Sequence, residues 1–176
     1  MASVHPSLTP PVAEWIGRQH MFFVATAPLA GDGHVNVSPK GLDTLRVLDD
    51  MTVAYLDLTG SGAETVAHVR QNGRITLMWC AFEGPPRIVR VHGRGEVVGI
   101  DDPRLAGRFD DVPGARAVVV VHAERISDSC GYAVPQYAFA GQRSKLLEWA
   151  DHRGPEGLLA YRAAKNALSI EGLPAF

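Results

Sequence analysis

The chain has 176 residues, 46% of them hydrophobic and 20% charged, with a formal net charge of −2. That length suits one domain with a core of its own, needing neither metal nor disulfide staples. The near-neutral balance lacks the concentrated basic face that a nucleic-acid backbone demands, and no apolar run reaches the length of a bilayer span.

The N-terminal stretch "MASVHPSLTPPVAEW" has no long apolar core and no cleavage-site pattern, which argues against a secretory leader. A helix is expected near residues 10–19, with Thr9 as its cap and Pro10 or Pro11 in the first turn, where a missing N–H costs nothing. "MFFVATAPL" follows, an aromatic and β-branched run that reads as a buried strand. Gly31-Asp32-Gly33 is a turn by composition. "HVNVSP" alternates, with Val35 and Val37 on one face and His34, Asn36 and Ser38 on the other. "TLRVL" and "TVAYLDL" are two further strands around a turn at Asp49-Asp50.

A Gly60-Ser61-Gly62 turn then leads into a helix over about 63–71, with Gly73 free to take the positive φ of its C-cap. "RITLMWCAF" is an apolar strand, and "EGPP" breaks the chain. "RIVRVHGRGEVV" gives the cleanest alternation: Val89, Val91, Gly93, Gly95 and Val97 against Arg90, His92, Arg94 and Glu96. "DDPRLAGRF" reads as a short helix capped by Asp101 or Asp102, and "ARAVVVVHAERIS" as a fully buried strand. "SCGYAVPQYAFAGQ" is an irregular loop, and helices over 143–152 and 156–167 finish the chain. About seven strands with few helices between them lack the alternating rhythm of a doubly wound sheet. The expected fold is mainly β: a Greek-key-like barrel over about 20–126 with peripheral helices and a C-terminal helical segment over about 143–168, all in one domain.

The chemistry concentrates at "LTGSGAETVAH". Ser61 and Glu64 have the spacing of a capping box, which is how many helices begin. A helix N-terminus also presents unpaired N–H groups and partial positive charge, and glycines let an anion approach the backbone closely. Ser61 and Thr65 add hydroxyl donors, whereas Asp57 and Glu64 oppose an anion. The turn carries no lysine or arginine, so a cation must come from elsewhere, and Lys40 in "NVSPKG" is the obvious source. Neither the Walker pattern nor the GxGxxG dinucleotide pattern is present.

The succession "FFVATAPLAGDGHVNVSPKG", "TVAYLDLTGSGAETVAHVRQNGRITLMWCAF" and "PPRIVRVHGRGEVV" resembles the pyridoxamine 5′-phosphate oxidase-like family of FMN-binding split β-barrels, over roughly residues 15–125. The resemblance implies a homodimer with FMN at the subunit interface. It places the flavin phosphate at Gly60, Ser61, Gly62 and Thr65, with Tyr55, Leu56 and Asp57 beside the ribityl chain and ring. Asn36, Ser38 and Lys40 then join the same site. It also implies an aromatic or basic side chain from the second subunit over the ring, for which Trp79, Arg143 and Trp149 qualify. The true oxidases carry Ser-Arg-Lys in the turn where this chain has Ser61-Gly62-Ala63, and Arg-Gln-Val where it has Arg87-Ile88-Val89. The likeness is therefore to a different branch, with a small-molecule substrate other than pyridoxamine phosphate.

The implied activity is FMN-dependent oxidoreduction between a reduced nicotinamide or deazaflavin and that substrate, with the chemistry carried by the flavin and no assigned catalytic side chain. Deazaflavin or haem in place of FMN, and a non-catalytic flavin or haem carrier or sensor, are the alternatives. The seven histidines are scattered without a metal-ligand spacing, so no metal is expected. Cys80 and Cys130 show no CxxC spacing and read as reduced thiols, Cys80 inert in its apolar strand, in a cytoplasmic protein. No membrane or nucleic-acid partner is expected.

Overall fold

The computed structural model describes residues 3–176. Eight strands form one antiparallel sheet: β1 Ser3–His5, β2 Phe22–Thr26, β3 Asn36–Lys40, β4 Leu45–Val47, β5 Thr52–Leu58, β6 Arg74–Cys80, β7 Ile88–Val98 and β8 Ala115–Ser129. Their order is β3-β2-β6-β7-β8-β5-β4, with β1 added to β8. The sheet curls into a half-barrel, the architecture of a split β-barrel. Three helices accompany it: α1 Pro10–Gly17, α2 Glu64–Asn72 and α3 Lys145–Lys165.

Strands β5 and β8 are buried on both faces over their paired length. Val53, Tyr55, Val119 and Val121 face the barrel interior with Phe22, Val24, Leu77, Trp79, Val89 and Val91, closed at one end by Leu8, Val12 and Ile16. Ala54, Leu56, Val118 and Val120 point the other way, into a second cluster with Leu105. This two-sided burial explains why "TVAYLDL" and "AVVVV" are unbroken apolar runs instead of alternating ones. Strand β8 is buried on both faces only over its first half, however, with Ala123, Ile126 and Ser127 buried beyond it. It runs on to Ser129, and His122, Glu124 and Arg125 are exposed.

β7 keeps the alternation read from its sequence, with Val89 and Val91 fully buried. Its register slips between His92 and Gly93. A Cβ at Gly93 would lie 2.1 Å from the His122 carbonyl oxygen, so only glycine lets the strands approach there. Gly73 has φ 70°, the left-handed C-cap expected of α2. The two expected C-terminal helices are one element bent at Gly154, whose φ of 64° and ψ of 174° are non-helical, just before Pro155. Thr9 precedes α1, but its carbonyl, not its hydroxyl, meets the Val12 and Ala13 amides.

β1 is held to β8 largely by Asp128, which accepts hydrogen bonds from Ser3 and from Arg87 at 2.8 Å and pairs with His5 at 3.1 Å. Burial alone would raise the Asp128 carboxyl, but the bonds from Ser3, Arg87 and His5 outweigh it and hold it at about 2. A carboxylate lowered in the folded state stabilises above its unfolded value and loses that contribution as pH falls through the folded one. The β1 tether therefore loosens between pH 3.8 and about 2. Amide exchange of Ser3–His5 is expected to lose protection across that window, and Asp128→Asn is expected to abolish the pH dependence. Protection unchanged from pH 5 to pH 2 would refute this.

Candidate functional site

Asn36, Ser38 and Lys40 alternate along the edge strand β3, so they share a face. That polar face is the inward one: all three are half-buried, while Val35 and Val37 are 69% and 60% exposed. Hydrogen bonds account for the inversion. Asn36 Nδ2 donates to Thr65 Oγ1 at 3.0 Å and to Thr26 Oγ1 at 3.4 Å, tying β3 to the first turn of α2. Thr26 Oγ1 in turn lies 3.1 Å from Nδ1 of His68, which is fully buried on α2.

The Gly60–Ala63 turn connects β5 to α2 without the expected capping box. Helix α2 begins at Glu64 after Ala63, and no side chain caps it. The Ala63 carbonyl accepts from Ala67 at 3.0 Å, which is the first amide of the segment to find a partner. Among the described residues, the amides of Gly60 through Val66 meet no acceptor. Unpaired N–H groups at a helix N-terminus are the kind of donors that hold anions.

The carbonyls of this turn are occupied. Asn166 Nδ2 donates to Gly60 O at 3.0 Å, and Arg116 Nη2 donates to Gly62 O at 3.0 Å. Arg116 Nε also meets Asp57 Oδ2 at 2.6 Å, and Nη1 meets Asn166 Oδ1 at 2.7 Å. Arg162 Nε donates to Thr59 Oγ1 at 2.8 Å, and its Nη2 to Ala115 O at 3.0 Å. Burial, then the neighbouring Arg116 charge, lower the Arg162 guanidinium, opposed by Asp57. Lys40 Nζ lies 3.5 Å from the other Asp57 oxygen. Three cations, Lys40, Arg116 and Arg162, thus stand by the turn with the carboxylates Asp57 and Glu64.

A cleft of about 730 Å³ meets the turn at Gly60 and Lys40. Leu56 and Leu58 lie along it, with Phe82, and the segment 137–143 crosses over it. That strap is fastened by Phe139 stacked on His20, ring centroids 3.6 Å apart, and by Gln142 Nε2 donating to His20 O at 2.8 Å. Cys80 also lines the cleft, and burial raises its thiol, an effect the Arg90 charge only partly offsets. The volume lies within the range of small-molecule and cofactor sites.

The structure thus gathers Asn36, Ser38, Lys40, Leu56, Asp57, Gly60, Ser61, Gly62 and Thr65 around one turn and the mouth of one cleft. Two expected site residues are corrected. Tyr55 and Trp79 are both 0% exposed and pack on Phe22 in the barrel core, at ring-centroid distances of 5.5 and 5.9 Å. Strand alternation sends Tyr55 inward wherever Leu56 faces the cleft, so neither aromatic meets a ligand there. Burial, then the Asp57 charge, push the Tyr55 phenol well above its ordinary value. Trp149 pairs edge-on with Tyr161 at 5.0 Å beside Arg153, away from the turn, whereas Arg143 lines the cleft. Arg116, Arg162 and Asn166 escaped the sequence reading. One signal was available: a lone arginine in "ARAVVVV" needs a buried partner.

Comparison with known proteins follows this geometry. The family model described as pyridoxamine 5′-phosphate oxidase matches residues 8–130. The pyridoxamine 5′-phosphate oxidase family protein ustO of Aspergillus flavus is 37% identical over 196 aligned positions, covering 99% of this chain and 78% of the relative. Among solved structures, HupZ of Group A Streptococcus is similar at 25% identity and TM-score 0.51, over 76% of this chain and 98% of its own. The FAD binding protein of Mycobacterium smegmatis shares the fold, with TM-score 0.50 and 16% identity over 72% of this chain and 97% of its own.

Proposed function

The chain belongs to the pyridoxamine 5′-phosphate oxidase family, and from that premise we propose that it is an FMN-dependent oxidoreductase acting on a small molecule, as a homodimer with the flavin at the subunit interface. The observation that carries the reading is the run of seven unpaired amides, Gly60 to Val66, which meets the cleft at Gly60 beside Lys40. The FAD bound by the Mycobacterium smegmatis neighbour supports a flavin in this fold. Among the described residues no helix is long and apolar enough to cross a membrane, and no group of three or more His, Cys, Asp or Glu side chains converges as a metal site.

The residues present fit a flavin phosphate. The amides of the turn would hold its oxygens, and Lys40, now 3.5 Å from Asp57, would supply a cation. Leu56, Leu58 and Phe82, with residues 137–143 lining the cleft, would offer the ring an apolar surface. Cys80, its thiol raised by burial, lines the same cleft. When bound, FMN supplies hydride acceptance and donation, so the protein contributes binding, orientation and electrostatics without an acid–base pair of its own.

Lys40→Ala tests the site. If Lys40 pairs with the phosphate, flavin affinity falls by about 1.5–3 kcal/mol, the size of a hydrogen bond to a charged group. Titration of the purified protein with FMN, followed by flavin fluorescence, reads this directly. Bleaching of the bound flavin by NADH or NADPH, with reoxidation in air, separates an enzyme from a carrier. A protein that shows neither flavin absorption nor a thermal shift with FMN would defeat the proposal.

A further inference from the structure

The family match ends at residue 130, yet two of the three side chains that fix the turn lie beyond it. Arg162 and Asn166 are four residues apart at the end of α3, one helical turn, so they fall on one face. That face packs under the turn. Asn166 is 0% exposed and bonds Gly60 O, while Arg162 bonds Thr59 Oγ1 and the Ala115 carbonyl beneath it. Arg116, from the start of β8, joins the two ends by meeting Asn166 Oδ1 and Gly62 O together.

Peptide geometry makes these bonds directional. A trans peptide holds its C=O and the following N–H antiparallel. Pulling the Gly60 carbonyl inward therefore turns the Ser61 N–H outward, and Ser61 stands on the exposed side of the turn, whereas Ala63 is buried against Val66, Ala67 and Ala175.

We infer that α3 is a clamp on the anion site: Asn166 and Arg162, acting with Arg116, are positioning residues that hold the turn so that the Ser61 amide is aimed at a phosphate monoester. This rests on the reading of the turn as the flavin-phosphate site. It also explains how the turn works with glycine and alanine where the true oxidases carry an Arg-Lys pair. Here the arginines sit behind the backbone and set the direction of its dipoles.

The consequence is selectivity for the phosphate rather than for the ring. The experiment compares FMN with riboflavin, which has the same ring and ribityl chain but no phosphate. Both are titrated into wild type, Asn166→Ala and Arg162→Ala by fluorescence quenching, with thermal unfolding recorded alongside. Asn166→Ala frees the peptide between Gly60 and Ser61, and its FMN affinity is expected to fall about tenfold, the loss of one charge-assisted bond. Riboflavin affinity is expected to stay within about twofold, because no clamp residue faces the ring. Arg162→Ala, at a half-buried position, is expected to show the same selective loss and keeps the test available should Asn166→Ala fold poorly. Equal losses for FMN and riboflavin, or unchanged FMN affinity in both variants, would overturn the clamp while leaving flavin binding standing. A wild-type protein that binds neither flavin would overturn the clamp together with the flavin reading.

Discussion

Arg116→Leu is expected to destabilise the protein by about 3–5 kcal/mol, the cost of leaving a buried charge without its partner. The side chains of Arg116 and Asp57 are 4% and 1% exposed, and their contact is 2.6 Å. After the substitution Asp57 keeps only Lys40 at 3.5 Å, while Gly62 O and Asn166 Oδ1 each lose a donor. The leucine also gives up the guanidinium that lies 4.9 Å from the Phe176 ring centre, a smaller term. The double variant Arg116→Leu, Asp57→Leu decides between causes. Apolar replacement of a whole buried pair is often neutral. The double variant is therefore expected to recover most of the stability even though the packing of Arg116 stays lost. Urea unfolding with an unchanged m-value measures both. A single-variant loss under about 1 kcal/mol would show that Asp57 is not the isolated charge described, since that is what a surface pair costs.

Trp79→Ala is expected to cost a similar amount, about 3–5 kcal/mol, for a different reason. Trp79 is 0% exposed and stacks on Phe22 in the middle of the barrel, so its removal leaves a cavity that β-strands cannot close. Its indole N–H has no partner, so Trp79→Phe loses some volume but also relieves an unpaired donor, and is expected to cost much less. The decisive contrast is with flavin binding. Because Trp79 faces the core and Leu56 the cleft, folded Trp79→Phe is expected to bind FMN like wild type. Lys40→Ala is expected to keep its stability and lose its flavin.

The contrast also shows which parts of this molecule were legible in its sequence. The bounds of β5 and β6 follow from apolar runs closed by turn residues, those of β7 from its alternation, and Gly73 marks the end of α2 because few other residues accept φ 70°. β1 is three residues long and has no pattern of its own; it exists because β8 and Asp128 hold it. The capping box of Ser61 and Glu64 was a sound local motif that tertiary contacts overrode. With the Gly60 and Gly62 carbonyls tied to Asn166 and Arg116, the first helical acceptor moves to Ala63. The turn of unpaired amides was legible from glycines before a helix. Of the cations beside it Lys40 was legible, but Arg116 and Arg162 were not, because they arrive from 54 and 48 residues beyond their backbone partners Gly62 and Gly114. Trp79 misled for a simpler reason: an aromatic in a strand looks the same from either face, and only the register settles which way it points.

The central claim is that the amides of the Gly60–Val66 segment hold the flavin phosphate. Two-dimensional amide NMR of labelled protein, titrated first with riboflavin and then with FMN, tests it most directly. The account predicts that FMN moves the Ser61 amide resonance strongly and that riboflavin leaves it nearly in place, while both flavins perturb Leu56 and Leu58. If FMN shifts the cleft residues and leaves the amides of residues 60–66 where they were, the phosphate lies elsewhere and the account is contradicted.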